Sequence, residues 1–362
     1  MTILFLCPET DLVREVGAYA NAFRRRGIRV AYIDGACPLN VDLEQLFQRC
    51  PERPDLVLHV EWFPVLPPRL AETPIPTASF QVDTYAYTRR RIAWSMLFDH
   101  VFVFHPAYEQ AFREAGHPAV YELSHAAEAE LFAGQDLERI FEVGWVGQVG
   151  AGIYRTRERL LRSLAASFQM NDWRRRYSQQ EMARIYLQSR IVVNIGRDDF
   201  LQDANLRVFE AMAAGALLIT RLPSELTQIG FQEGVHFVGY RETRELQPLI
   251  RKYLADESSR RLIAHLAREL VLREHTYDRR ADVFLDKIRL SHGKLSAPAR
   301  GWPGHRVHLA YLDFFAAHGS LHLAAAELPK IARHNLKNAI QGAVLLARAF
   351  CKKLWLSMRS RD

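Results

Sequence analysis

An arginine and a glutamate stand three residues apart in the stretch NLRVFEAMAAGALLIT, residues 205–220. Its apolar spacing predicts a helix with one buried face, followed by an apolar strand. Arg207 and Glu210 then lie on another face of the helix, near an N-terminus that Asp203 or Asn205 can cap. A carboxylate one turn behind such a helix end, where anions are favoured, is well placed to accept two hydroxyl hydrogen bonds from a ribose. The alternative is a surface ion pair worth about 0.3–0.5 kcal/mol.

Three other polar residues lie at or just beyond the ends of predicted strands. Asp83 ends IPTASFQVD, His105 ends HVFVFH, and His125 lies in SHAAEAELF. Ligands of parallel sheets bind outside the carboxyl ends of the strands. Each residue is therefore a candidate general base or a group that orients a hydroxyl. For the two histidines, a purely structural role remains the alternative.

Short β-rich runs alternate with helical patterns over the first 135 residues, which predicts βαβ units around a parallel sheet. The predicted strands are TILFLC, IRVAYID, PDLVLHV, IPTASFQVD, HVFVFH and AVYEL. A second set begins at RIFEVGWVGQ and includes the strands IVVNIG and GALLIT. We expect an α/β protein with two doubly wound, Rossmann-like domains, residues 1–135 and 136–290, that face a cleft. Residues 291–362 are predicted to be a linker and a basic helical tail.

The composition is globular, because 49% of the 362 residues are hydrophobic and 25% are charged. The N-terminal apolar run is too short for a signal peptide, and the 4 scattered cysteines fit a reducing cytosol. The net charge of +7 is unevenly placed. Residues 287–362 hold 13 basic and 3 acidic side chains, which leaves 35 basic and 38 acidic ones before them. An anionic macromolecular partner would therefore be bound by the tail.

Residues 177–286, from YSQQEMARIYLQSRIVVNIG through RVFEAMAAGALLIT to HTYDRRA, resemble the donor domain of nucleotide-sugar glycosyltransferases with the two-Rossmann-domain GT-B fold. The similarity is to the bacterial spore-maturation-protein (CgeB-like) type, which is similar to glycosyltransferase family 4. PDLVLHVEWF, IPTASFQVDT and HAAEAELF resemble that family more loosely. The resemblance implies a hexosyltransferase-like enzyme that moves a sugar from a nucleoside-diphosphate sugar to a glycan, lipid-linked or protein acceptor.

Family 4 brackets its donor site with two glutamates eight residues apart, the second on the ribose and the first on the sugar. Glu210 matches the second, but Gln202 occupies the first position. This is a departure, because an amide also donates where a carboxylate only accepts. The neighbouring Asp203 is an alternative sugar ligand. Asn205 and Leu206 match the family loop whose backbone amides meet the donor.

The resemblance also places diphosphate-binding residues after GWVGQVGAG, where Arg155 and Arg157 stand. Gly147 would allow the backbone to approach the phosphates, and Arg207 is a further phosphate candidate. Tyr177 falls where the family packs near the nucleotide base. The alternatives are a solvated helix face for the arginines and a core role for Tyr177. No Asp-x-Asp metal signature follows a strand, so we expect a transfer without metal or cofactor that, as in family 4, retains configuration.

From Pro329 to Trp355, basic and apolar residues alternate as in a basic amphipathic helix. Such a helix can hold a cytoplasmic enzyme on an anionic membrane surface through residues 329–362. The alternative is a helix packed on the body of the protein, which we favour for the preceding HLAYLDFFAA. Nucleic-acid binding is not expected, since the tail lacks aromatic interleaving. The alternative function is a catalytically inactive GT-B protein that binds nucleotide or glycan, because Gln202 departs from the family pattern.

Overall fold

A computed structural model describes residues 1–133, 137–200, 202–291 and 294–359, with side chains up to residue 353. The predicted domain boundary after residue 135 and the Trp355 side chain lie outside this part of the chain. The chain divides into two compact units. The first comprises Met1–Phe104, Tyr108–Leu123 and Phe284–Asp362, and the second comprises His105–Ala107 and Ser124–Val283.

The first unit is built on a six-stranded parallel sheet in the order β2-β1-β3-β4-β5-β6. Its strands are β1 Thr2–Phe5, β2 Arg29–Tyr32, β3 Leu56–Val60, β4 Thr77–Gln81, β5 His100–Val103 and β6 Val120–Glu122. The helices between them are α1 Arg14–Arg25, α2 Leu43–Arg49, α3 Thr88–Ser95 and α4 Pro106–Glu114. Strands β1, β3, β4 and β5 are buried along their whole length. Burial on both faces explains why their sequences are nearly continuous apolar runs.

The second unit has a four-stranded parallel sheet in the order β10-β9-β8-β7. Its strands are β7 Phe141–Gly144, β8 Ser189–Val193, β9 Leu217–Arg221 and β10 Val238–Tyr240. The helices that follow or precede them are α5 Arg155–Ala165, α6 Gln179–Leu187, α7 Leu206–Ala213, α8 Leu246–Ala255 and α9 Glu257–Glu274. Helix α10 Tyr277–Leu290 begins in this unit and continues past its last residue, Val283. The sequence did not predict β10, whereas β6, which is equally short, was predicted within AVYEL.

Helix α7 has a defined beginning and end. The Asn205 side chain caps its N-terminus by accepting a hydrogen bond from the backbone N–H of Arg207 at 3.1 Å. At its other end Gly215 has φ +68°, a left-handed conformation that lets the chain turn directly into β9. Because α7 connects β8 to β9, its first turn meets the residues that follow β8.

The last three helices, α11 Gly304–Ala317, α12 Leu321–Ala332 and α13 Leu336–Arg359, belong to the first unit. Leu312 and Phe314 of α11 share a core with Phe98, and Asp313 accepts a hydrogen bond from Arg90 Nε at 2.6 Å. The prediction that HLAYLDFFAA packs on the body is therefore confirmed. Within the described residues, no helix has the length and apolarity needed to cross a membrane.

Candidate functional site

Trp145 follows β7 and is fully buried. Its backbone N–H donates to Asn171 Oδ1 at 2.9 Å, and its backbone carbonyl accepts from Asn171 Nδ2 at 2.9 Å. This reciprocal pair fixes the chain at the carboxyl end of β7. Two guanidinium groups lie near the indole ring, that of Arg207 at 4.9 Å and that of Arg157 at 5.6 Å from the ring centroid. The aromatic ring attracts both cations.

The Arg207 guanidinium is held by two acceptors. Its Nη1 donates to Asn194 Oδ1 at 2.8 Å and its Nε donates to the Val146 carbonyl at 3.1 Å. The same Asn194 oxygen accepts from Asn205 Nδ2 at 3.1 Å, so the helix cap and the arginine are fixed by one side chain. The Asn194 amide nitrogen donates to Thr220 Oγ1 at 3.1 Å. Arg207 is therefore positioned before any ligand arrives.

The Arg157 side chain is buried and bonded only to carbonyls. Its Nε donates to the Ile195 oxygen at 3.0 Å, and its Nη1 donates to the Gln148 oxygen at 2.7 Å. The guanidinium also lies 4.8 Å from the centre of the Tyr154 ring. Burial, followed by the neighbouring Arg207 cation, lowers the pKa of Arg157 to about 10. The side chain thus stays positively charged at pH 7.

Neither Arg157 nor Arg207 forms an ion pair with a carboxylate of the described residues, although each has fixed hydrogen bonds to neutral groups. A buried cation is normally paired with an anion. Two adjacent cations without one are suited to bind the oxygens of a phosphate. Across the same part of the chain, no group of three or more His, Cys, Asp or Glu is arranged to hold a metal ion.

Gly147 lies against this arginine pair. A Cβ atom at Gly147 would come within 2.5 Å of Arg207 Nη2 and 2.9 Å of Trp145 Cη2. The space beside its Cα is therefore filled by the protein's own guanidinium and indole. The structure gives the glycine a positioning role, since a larger residue would displace the Arg207 side chain.

Asp203 and Gln202, which lie shortly before the cap of α7, differ in their hydrogen bonds. Asp203 is buried, and its carboxylate accepts from Thr220 Oγ1 at 2.7 Å, Ser224 Oγ at 2.7 Å and the Glu225 N–H at 2.9 Å. Burial raises the pKa of Asp203 despite these bonds. With three acceptor positions already used, Asp203 neither caps α7 nor suits the sugar contact suggested for it. Gln202 is half-buried and forms no hydrogen bond within the described chain.

Glu210 lies on α7, 4% exposed. The alternative interpretation, a surface ion pair between Arg207 and Glu210, is wrong, since Glu210 is buried and the Arg207 guanidinium bonds to Val146 and Asn194. Leu206, the first residue of α7, is half-buried. Burial makes Glu210 a strong acceptor for a hydroxyl that reaches it.

The remaining donor-side candidates lie on the same unit. Arg155 is the exposed first residue of α5. Tyr177 is half-buried, its hydroxyl donates to the Asp172 carbonyl at 2.9 Å, and its ring lies 5.1 Å from the Arg175 guanidinium. Tyr177 also packs against a hydrophobic core of this unit. Its ring is thus anchored, and its role at a nucleotide base stays a prediction.

The structure brings two of the acceptor-side candidates together. His105 and His125 are both buried in the second unit, with ring centroids 5.8 Å apart. His105 Nδ1 lies 3.0 Å from a carboxylate oxygen of Glu225, and the other oxygen accepts from the Ala107 N–H at 3.3 Å. This contact supports a structural role for His105 over a catalytic one, because its ring nitrogen Nδ1 already has the Glu225 carboxylate as a fixed partner.

Asp83 lies in the first unit, exposed and just past β4. Its N–H and that of Val82 each donate to the buried carboxylate of Glu61 at 2.7 Å, and Glu61 also pairs with Arg91. Burial raises the pKa of Glu61 to about 7. The backbone of Asp83 is therefore held in place while its own carboxylate faces solvent.

Trp145, Asn194 and Glu225 are site residues that the sequence analysis missed. Asn194 carried a usable signal, because it is a polar residue directly after the apolar strand β8. Trp145 follows β7 in the same way. Glu225 had no such signal, since its partners lie far from it in the sequence.

Residues 151–286 match a family model described as glycosyl transferase-like. The second unit carries a glycosyltransferase-like domain. No curated protein matches the chain in sequence. The CgeB-like type and the relation to family 4 stay predictions.

Three solved structures are similar in fold. A glycosyltransferase from Rickettsia africae ESF-5 is 10% identical with a TM-score of 0.56, covering 81% of this chain and 98% of its own. Anabaena Alr3699/HepE in complex with UDP-glucose is 14% identical, with TM-score 0.57 and coverages of 80% and 100%. Sucrose-phosphate synthase (tll1590) from Thermosynechococcus elongatus is 13% identical, with TM-score 0.55 and coverages of 80% and 99%. The fold is GT-B. The glycosyl transferase-like model matched by residues 151–286 places the enzyme in the transferase class.

Proposed function

We propose that this glycosyltransferase uses a nucleoside-diphosphate sugar, with the diphosphate beside Arg157 and Arg207 and the ribose on Glu210. The observation that carries the proposal is the arginine pair, which is fixed on Trp145 by neutral acceptors and lacks a carboxylate partner among the described residues. Preorganised cations of this kind match phosphate oxygens. UDP-glucose is the first donor to test, because it is the ligand named for the Anabaena structure.

In the proposed transfer, the bond between the anomeric carbon and the diphosphate oxygen breaks, and its electrons stay on the diphosphate. The acceptor hydroxyl oxygen bonds to the anomeric carbon, and its proton passes to the diphosphate oxygen that leaves with the electron pair. The two guanidiniums stabilise the charge that grows on the leaving group, without reorganising as it forms. They supply positive charge that a metal would otherwise bring, which supports a metal-independent transfer. Retention of configuration is proposed on the resemblance to family 4 alone.

The acceptor is proposed to be a glycan, a lipid-linked sugar or a protein. Asp83 is the best-placed acceptor-side group, because its carboxylate is exposed while its backbone is fixed by Glu61. Its role would be to orient the acceptor hydroxyl. His105 and His125 are proposed only as secondary candidates, since both are buried.

A thermal-shift screen with UDP-, GDP-, dTDP- and ADP-sugars tests the proposal. We expect one nucleotide class to raise Tm, because a ligand that binds only the folded state stabilises it by mass action. Nucleotide release from the selected donor then measures turnover. A screen in which no nucleotide shifts Tm would contradict donor binding. Tight binding without any turnover would favour the catalytically inactive alternative.

We also propose that α13 holds the enzyme on an anionic membrane surface. One side of the helix packs inward, since a Cβ at Gly342 would lie 3.0 Å from Leu312 Cδ1. The other side exposes apolar residues, namely Leu336, Ile340, Val344 and Phe350. Up to residue 353, α13 carries four basic residues, Lys337, Arg348, Lys352 and Lys353, and no Asp or Glu. Lys330 and Arg333 lie at the end of α12, so the single helix predicted from Pro329 is divided in two. Exposed apolar residues with basic neighbours match an interface with anionic lipid headgroups.

The double variant Ile340→Asp/Val344→Asp is expected to reduce binding to vesicles of mixed neutral and anionic lipid at least tenfold. Two charges would enter the apolar stripe while the packed side of α13 is unchanged. Co-sedimentation measures the bound fraction, and Val235→Asp/Leu262→Asp is the matched control, because both residues are exposed and apolar in the other unit. Wild-type protein that binds neutral and anionic vesicles equally, or neither, would remove the proposal.

A further inference from the structure

A second group of arginines surrounds a cavity of about 780 Å³ in the second unit. Arg155 begins α5, Arg221 ends β9 and Arg241 directly follows β10. Three separate chain segments thus bring a guanidinium to the same cavity, at the carboxyl ends of two neighbouring strands. Ligands of open α/β sheets bind at that edge, and sites for small ligands have volumes of about 300–1,000 Å³.

The three arginine side chains are exposed and have no hydrogen-bond or ion-pair partner within the described residues. The hydroxyls of Thr156 and Thr243 also line the cavity and donate no hydrogen bond there. Five groups that can donate hydrogen bonds to a ligand are therefore present and unused. An anion with several oxygens would satisfy them, as phosphates do with arginine and hydroxyl donors.

The carboxylates on the cavity wall are already engaged. Asp198 accepts from the Thr156 N–H at 3.2 Å, Asp203 accepts its three hydrogen bonds, and Glu242 pairs with Arg244 at 2.7 Å. Arg197, the fourth arginine of the wall, is likewise paired with Asp199 at 2.8 Å. Asp198 and Asp203 accept only from neutral donors and keep their charges. Three guanidiniums without an ion-pair partner among the described residues therefore face two carboxylates, and the balance of this wall is positive.

The cavity adjoins the proposed diphosphate site, because Asn194 and Ile195, which line it, accept hydrogen bonds from Arg207 and Arg157. None of Trp145, Arg157, Arg207 and Glu210 lines it. A sugar transferase has one further substrate besides its donor, the acceptor. We propose that this cavity binds a phosphoryl group carried by the acceptor. The assignment to the acceptor rests on the proposed function, whereas the presence of an anion site does not.

The test uses the full-length protein and inorganic pyrophosphate as the probe, titrated by calorimetry with and without saturating UDP. We expect pyrophosphate to bind the UDP-loaded protein. The double variant Arg221→Gln/Arg241→Gln should weaken that binding at least tenfold while changing UDP affinity less than twofold. The matched control is Arg159→Gln/Arg184→Gln, which removes two exposed arginines that do not line the cavity.

Pyrophosphate that competes with UDP, or binding that the cavity variant leaves unchanged, would overturn the proposal. Protein that does not bind UDP contradicts the proposed function, whereas the effect of the cavity variant on pyrophosphate binding still tests the anion site. Two competitors identify the source of the phosphoryl group, glucose 6-phosphate for a soluble acceptor and vesicles containing an isoprenyl phosphate for a lipid-linked one. Failure of both to displace pyrophosphate would overturn the acceptor assignment.

Discussion

Replacing Arg207 with Gln is expected to lower the rate of sugar transfer by about 100-fold or more. The guanidinium is fixed by Asn194 and Val146 before substrate binds, so it stabilises charge on the leaving diphosphate without rearrangement. Loss of one such preorganised donor lowers kcat by about 10²–10³-fold in enzymes that stabilise a developing oxyanion. Nucleotide release under saturating donor, for the donor chosen by the thermal-shift screen, measures the effect.

Two further variants separate catalysis from folding. Arg207→Lys keeps the charge but loses the planar group that contacts Trp145 and bonds to two acceptors, so most of the loss should remain. Arg159→Gln, on the exposed side of α5, should leave the rate unchanged. A decrease of less than threefold in a folded Arg207→Gln protein would show that the side chain does not meet the leaving group.

Glu210→Ala is expected to weaken nucleotide binding at least tenfold. The carboxylate is buried on α7, and a buried acceptor that bonds two ribose hydroxyls contributes more than one in water. Calorimetry with UDP gives the Kd, and Glu269→Ala, an exposed residue of α9, provides the control. A change below twofold would remove the ribose role.

A deoxynucleotide distinguishes the ribose contact from a general loss of structure. Wild-type protein should bind 2′-deoxy-UDP or 3′-deoxy-UDP more weakly than UDP, whereas the Glu210→Ala protein should not discriminate between them. Two changes that remove the same interaction are not additive. If the variant still prefers UDP by the wild-type factor, Glu210 acts elsewhere and its burial is structural.

The strands and most helices were predictable because their signals are local. IVVNIG and GALLIT became β8 and β9, and the run after Asn205 became α7 with that residue as its cap. Apolar periodicity, capping and turn chemistry act over a few residues, so a single sequence contains them. Strand β10 was missed although the equally short β6 was predicted, so length alone does not explain the difference.

The site itself was predictable only in part. Arg157, Arg207 and Glu210 were proposed from a family resemblance, and the structure shows the two arginines together on one indole ring. The resemblance did not identify the residues that hold Arg207 in position. Asn194 holds Arg207 across 13 positions of sequence, and Trp145 contacts it across 62. Such contacts depend on which strands become neighbours, and no local pattern encodes that.

Asp203 is a residue for which the sequence suggested a ligand or capping role that the tertiary structure does not support. A carboxylate next to Gln202 and before a helix is a reasonable sugar ligand or cap when only the sequence is known. In the folded chain, Thr220 and Ser224 come back from beyond β9 and occupy its oxygens. The hydrogen-bonding capacity of a side chain is fixed by its chemistry, but whether that capacity is free for a ligand depends on the partners that folding delivers.

The sequence by itself determined the alternation of strands and helices, the uneven charge and the residue types available for chemistry. The tertiary structure decided that Glu210 is buried and that Arg157 and Arg207 lack carboxylate partners within the described residues. It also decided that the tail helices complete the core of the first unit, and that Arg155, Arg221 and Arg241 meet at one cavity. The physical reason is range, because periodicity and capping act between near neighbours along the chain, whereas burial and charge pairing depend on residues that only folding brings close.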